Sequence, residues 1–138
     1  MRLITLAIAA APLLIAGCVD QEFFVRQNVT YDRYERDFVG CATRATQEVP
    51  TNTQVGWMPY VGVYSADTNA ALRGKNFELC MRDRGYQKVK MPYCQGDKLK
   101  AATAQAKRPQ DRGRKMTINK ASCWVGKPDG SPFLYSGA

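Results

Sequence analysis

Five cysteines and no histidine in a chain of 138 residues constrain this fold more than any other feature. A chain of that length holds one domain with a limited core, so covalent crosslinks matter to it. Cys41, Cys80, Cys94 and Cys123 form an even set, and Cys18 is the odd one. The four lack the paired C-x2-C spacing of structural zinc sites, and no metal is expected. Without histidine, Ser-His and Cys-His catalysis and an imidazole pH switch are removed as well. There is no Gly-rich phosphate loop followed by Lys-Ser/Thr, and no cofactor is expected. Apolar residues make up 45% and charged residues 23% of the chain, which excludes wholesale disorder, collagen-like and coiled-coil classes.

Residues 1–17 read MRLITLAIAAAPLLIAG. Arg2 and the amino terminus are positive, and no charge follows from Leu3 to Ala16. That run is too short to span a bilayer, which needs about 20 apolar residues, and suits the apolar part of a secretory signal. A cut after Ala9-Ala10-Ala11 is disfavoured by Pro12. The run ends in Ile15-Ala16-Gly17-Cys18, which resembles the lipobox of bacterial lipoproteins, with Ile15 where Leu is usual. The resemblance implies that residues 1–17 are removed and that Cys18 is acylated; the alternative is a fifth buried or paired thiol. In such lipoproteins Asp directly after the acylated Cys favours the inner membrane. Here Val19 stands there and Asp20 follows. The resemblance therefore implies a lipid anchor in the outer membrane, on its periplasmic face. That compartment is oxidising, so the remaining four cysteines are expected as disulfides.

The expected organisation is a tether over 18–28 and one small disulfide-stabilised domain over 29–138. Tyr31, Tyr34, Phe38, Cys41, Ala45 and Val49 recur at steps of three and four, marking one face of a helix that Asn28 or Thr30 caps and Pro50 ends. A second helix is predicted from about Asp67 to Arg84, with Ala70, Phe77, Cys80 and Met81 inward. Gly85 then supplies a left-handed end and Tyr86 folds back. Four cysteines allow three pairings. Cys41–Cys80 joins two buried helix faces and sets an antiparallel register that brings Phe38 near Met81–Arg84 and Tyr34 near Tyr86. Cys94–Cys123 would clip a ribbon of 86–94 against 116–125, with Phe133–Tyr135 as a third strand. The fold class is α+β: a disulfide-linked antiparallel helical hairpin followed by a short antiparallel β-ribbon.

Tyr34-x2-Asp37-x3-Cys41 followed by Cys80-Met81-x2-Arg84-Gly85-Tyr86 resembles a recurring pattern in small proteobacterial envelope lipoproteins. It covers about residues 31–86 and implies a helical hairpin. It implies no activity. Some such chains carry a glycine-zipper segment between the helices; here only Gly56 and Gly62 fall in that loop.

Two segments are candidates for contact. Residues 50–65 hold Trp57, Met58, Tyr60, Val61, Val63 and Tyr64. The simpler expectation is a loop that folds over the helices and completes the core. The sharper one is an exposed patch in which Trp57, Tyr60 and Tyr64 meet a partner or the membrane surface. Residues 98–120 carry eight Lys/Arg against one Asp. The simpler expectation is a solvated mobile loop; the sharper one is an anion-binding arm using Lys107, Arg108, Arg112, Arg114 and Lys115. Its partners would be lipopolysaccharide, peptidoglycan or an acidic envelope protein. Nucleic acid is not expected, since the compartment lacks it and no aromatic residue interleaves the arm for base stacking. Asp32, Glu35 and Asp37 cluster on the first helix but alternate with Arg33 and Arg36, as a solvated, salt-laced face does. A hydrolase using those carboxylates is the weakest reading, and no enzymatic activity is expected. The function expected is a membrane-anchored envelope lipoprotein with a structural or interaction role. The alternative is a binding module or inhibitor of a periplasmic enzyme or envelope machine that uses the aromatic 57–64 segment.

Overall fold

The computed structural model describes residues 20–137. The expectations for residues 1–17 and for Cys18 fall outside the described residues. In chain order the elements are β1 (Gln21–Val25), α1 (Tyr31–Glu48), β2 (Thr53–Met58), β3 (Gly62–Asp67), α2 (Ala70–Asp83), β4 (Gln87–Met91), α3 (Gly96–Ala106), β5 (Cys123–Gly126) and β6 (Pro132–Tyr135). The strands form three two-stranded antiparallel pairs, β1–β4, β2–β3 and β5–β6. The class is α+β, with a disulfide-linked helix pair and antiparallel ribbons.

Local chemistry accounts for α1 and α2. The Thr30 side chain accepts from the Arg33 N–H and caps α1. Asp37, Cys41 and Ala45, four residues apart, form its buried stripe. Its last residue is followed by Val49 and then Pro50, where the helical backbone is disfavoured. α2 buries Cys80 and Met81 and ends at Gly85, whose φ of +83° suits a residue without a Cβ. The Gly85 and Tyr86 N–H groups return to the carbonyls of Arg82 and Met81, and Tyr86 is driven into the core. Cys41–Cys80 then joins the helices with 5.5 Å between Cα atoms. The Tyr34 and Tyr86 rings meet at 5.7 Å, as that register requires. The Phe38 ring packs on Phe77 at 4.9 Å, on the flank where Phe24 also meets Phe77.

Four expectations are corrected. First, the 18–28 segment is not all tether. Gln21–Val25 pairs with β4, in register Gln21↔Met91 to Val25↔Gln87, and buries Phe23 and Val25 in the main core. Second, the ribbon of 86–94 with 116–125 does not form. β4 takes β1 instead, and β5 takes β6; between the expected partners the described backbone pairing is a single bridge, Tyr93↔Trp124, with two backbone bonds, beside the Cys94–Cys123 disulfide. A two-stranded sheet needs apolar cover, and Phe23 and Val25 supply it to β4. Third, the basic segment is not all loop. Residues 96–106 are α3, held by Leu99, Ala102 and Ala106 against Cys94, Cys123, Val125 and Phe133. Beyond it, backbone bonds from Asp32 to Arg112, Tyr31 to Arg114 and Met116 to Val29 lay residues 112–116 against the start of α1, with Met116 buried. Fourth, residues 50–65 are no core-covering loop; most of them build the β2–β3 hairpin, which contributes no residue to either core cluster.

Two cores result, each with one disulfide: Cys41–Cys80 among Met81, Tyr86, Met91 and Met116, and Cys94–Cys123 among Ala102, Val125 and Phe133. Trp124 lies between them, 6.3 Å from the Phe23 ring and 5.0 Å from Tyr93.

Candidate functional site

The residues of the Tyr-Asp-Cys and Cys-Met-Arg-Gly-Tyr pattern converge on one buried carboxylate. Asp37 is 2% exposed. It accepts from Arg84 Nη1 at 2.8 Å, from Tyr86 Oη at 3.0 Å and from Arg33 Nε at 3.1 Å. Burial pushes its carboxyl up, but the three donors together hold it below the ordinary carboxylate range. Burial, with Asp37 as acceptor, pushes the Tyr86 hydroxyl up to about 12. These bonds cross from α1 to the end of α2, so the cluster closes the helix pair. Its neighbours are similarly engaged, Asp32 with Arg36 at 3.0 Å and Glu35 with Arg112 at 3.9 Å.

The β2–β3 hairpin is different in kind. From Val49 to Ala66 the chain carries no charge, yet Val55, Trp57, Met58, Tyr60, Val61, Val63 and Tyr64 are all exposed, Trp57 by 70% and Val63 by 74%. Paired residues share a face. Val55, Trp57 and Val63 therefore lie on one side, and Met58 and Tyr64 on the other. The Tyr64 ring covers Gly56 across the ladder. A Cβ there would come within 2.7 Å of the ring, so the glycine is what admits it.

The tip is a four-residue turn, Met58-Pro59-Tyr60-Val61, closed by the Val61 N–H on the Met58 carbonyl. Tyr60 sits at φ +68°, the third position of a turn in which proline second and glycine third are the usual residues. A bulky residue in left-handed backbone is uncommon. Tyr60 holds that place while wholly exposed, with no packing gain among the described residues to offset the strain.

The hairpin's root is polar and tight. Asp67 accepts from the N–H groups of Asn52 at 3.1 Å and Asn69 at 3.0 Å and pairs with Arg73. Arg73 also donates to the Val49 carbonyl, and the Asn69 side chain to that of Pro50. The Arg73 hydrogen bond, with those backbone donors, holds the Asp67 carboxyl below its ordinary range. An apolar arm is thus fixed between α1 and α2 by a clamp of polar bonds.

The sequence-predicted contact residues are distributed as follows. Trp57, Tyr60 and Tyr64 share the hairpin, with Trp57 and Tyr64 on opposite faces. Lys107, Arg108, Arg112, Arg114 and Lys115 are all exposed. Lys107 and Arg108 border a shallow cleft with Lys127, while Arg112 turns to Glu35. Val55 and Lys127 were not singled out by sequence reasoning. The uncharged run between Glu48 and Asp67 is the signal that would have found Val55. A groove of about 620 Å³ runs beside β1 and α1, lined by Phe24, Tyr34, Phe38 and Phe77 among others. Its rim cations Arg112 and Lys127 are matched by Glu22 and Glu35, so its charge selects no ligand. Among the described residues no helix is long and apolar enough to cross a membrane. No protein-family model, curated protein or solved structure matches this chain.

Proposed function

We propose that this chain is a lipid-anchored envelope protein, acylated at Cys18 and held at the periplasmic face of the outer membrane, with an interaction role carried by the β2–β3 hairpin. The single observation behind the choice of contact element is the exposure of seven large apolar residues on a clamped arm that neither core uses. Exposed apolar groups in such a cluster mark contact sites. The basic segment supports its own reading less well. Its backbone is bonded to the start of α1, and its cations are divided between the end of α3 and the loop beside Glu35. The body serves as a rigid mount, and no enzymatic step, metal or cofactor enters this reading.

Two measurements test it. Metabolic palmitate labelling marks the wild-type protein if Cys18 is acylated and leaves a Cys18→Ala variant unmarked. A photoreactive benzophenone amino acid in place of Tyr60 forms adducts in intact cells, whereas one in place of Arg112 forms few. Adducts from position 112 alone would return the contact to the basic segment.

A further inference from the structure

We infer that the hairpin takes the lipid bilayer itself, seating its Trp57–Val61 tip at the headgroup–acyl boundary as a second membrane attachment beside the Cys18 anchor. This rests on the reading of the hairpin as the contact element and of Cys18 as the acylated residue.

Three observations carry it. The first is distribution. Apolar side chains cover both faces of the hairpin and its turn. A protein docking on one face, or adding a strand to one edge, would leave the other face in water. Immersion of the tip covers both. The second is composition. No charge interrupts the stretch from Val49 to Ala66, and the tip region carries Trp57, Tyr60 and Tyr64, residue types that favour the membrane interface because a large apolar ring carries a polar edge. An uncharged arm has no electrostatic reason to seek an acidic protein. The depth is limited by the backbone. A two-stranded hairpin has unpaired N–H and C=O groups along both edges, which hydrocarbon cannot satisfy but the hydrated headgroup layer can.

The third is direction. Arg26 lies against Gly85, at the end of α2 far from the hairpin, and donates to the Arg84 carbonyl. Phe24 meets Phe77, about two helical turns nearer the hairpin's root. Read backwards, β1 therefore heads towards the end of the helix pair from which the hairpin projects. Cys18 stands three residues before Gln21, a reach of at most about 10 Å. The described start of the chain and the root of the hairpin thus lie towards the same end of the helix pair, as a single membrane surface for anchor and tip would require.

The test uses the acylated full protein, purified from membranes and reconstituted in phosphatidylcholine vesicles whose acyl chains carry bromine near the glycerol. Bromine quenches tryptophan emission only at close range, and the chain has two tryptophans, Trp57 and Trp124. Wild-type emission is expected to fall on brominated vesicles, the fall to disappear in Trp57→Phe, and rising salt to leave it unchanged, since no charge is involved. Equal quenching in wild type and Trp57→Phe would overturn the proposal, as would position-60 adducts that fall on protein, another copy of this chain included, instead of lipid. A palmitate-labelled protein with unquenched Trp57 would remove the bilayer contact and leave the anchor standing. An unlabelled protein with quenched Trp57 would remove the anchor and leave the contact.

Discussion

Asp37 shows how one carboxylate can organise a small fold. Its three donors come from both sides of the helix pair, so truncation leaves the buried Tyr86 hydroxyl without its acceptor and Arg84 with only the Asp37 backbone carbonyl, at 3.3 Å. Asp37→Ala is expected to cost about 2–3 kcal/mol, and Asp37→Asn less, because the amide oxygen still accepts from Tyr86. Urea unfolding of the two variants checks the order. The pH dependence follows from the same group. Its folded pKa is lowered, so its stabilisation is complete above the unfolded value, near 3.8, and is lost as pH falls through the lower folded value. Tyr86 acts oppositely: its stabilisation holds below pH 10 and is lost as pH rises towards about 12. Wild type should therefore lose stability below about pH 4 and above about pH 10, and Asp37→Asn should flatten the acid limb; an acid limb of unchanged steepness counts against it. At Tyr60 the expectation separates fold from function. Tyr60→Gly relieves a left-handed residue, worth up to about 1 kcal/mol, so the melting temperature holds or rises. The same change removes the tip's ring and should weaken vesicle contact. A fall in both would mean that the ring supports the fold instead.

At the scale of elements, what the sequence disclosed depended on how large the side chains in each pattern are. α1 and α2 are legible because Tyr34, Phe38, Cys41, Cys80 and Met81 repeat over several turns, and Cys41–Cys80 follows from their buried faces; Cys94–Cys123 forms as expected, although the ribbon expected to carry it does not. α3 was hidden. Its inward stripe is Leu99, Ala102 and Ala106, and alanines against a disulfide give little contrast with their polar neighbours. β1 was hidden because five residues with two inward apolar groups look like any linker, and its partner β4 lies more than sixty residues away. The hairpin's apolar character is legible in the sequence, but its two strands are not. Its clean alternation fails because apolar groups occupy both faces, the pattern expected when no face is reserved for the protein's own core. Such a hairpin is marginal on its own, so its root must hold it. Asp67→Ala removes the acceptor for Asn52, Asn69 and Arg73 together. Amide exchange across Thr53–Asp67 should then accelerate while α1 keeps its protection; unchanged exchange would show that the ladder stands without the clamp.

For the whole molecule, the two bridges do not interlock. Cys41–Cys80 and Cys94–Cys123 span 39 and 29 residues and do not overlap in sequence, and each sits in its own core. In the chain-entropy model each contributes roughly 4 kcal/mol, which is a large share of the margin for a domain this small. Separate crosslinks in separate cores lead to separable losses. Replacing Cys94 and Cys123 with Ala should release α3 and the β5–β6 pair, seen as faster amide exchange over Leu99–Ala106, with α1 still protected. Replacing Cys41 and Cys80 should loosen the helix pair, and with it the root of the hairpin. The membrane contact gives a second readout of the same division. It should survive loss of the Cys94–Cys123 bridge, because the hairpin is rooted through Asp67, Arg73 and Val49 in the helix pair. It should weaken when Cys41–Cys80 is lost. If either double variant exposes all three helices together, Trp124 and its neighbours couple the cores into one cooperative unit, and the hairpin's mount is then the whole domain, not the helix pair alone.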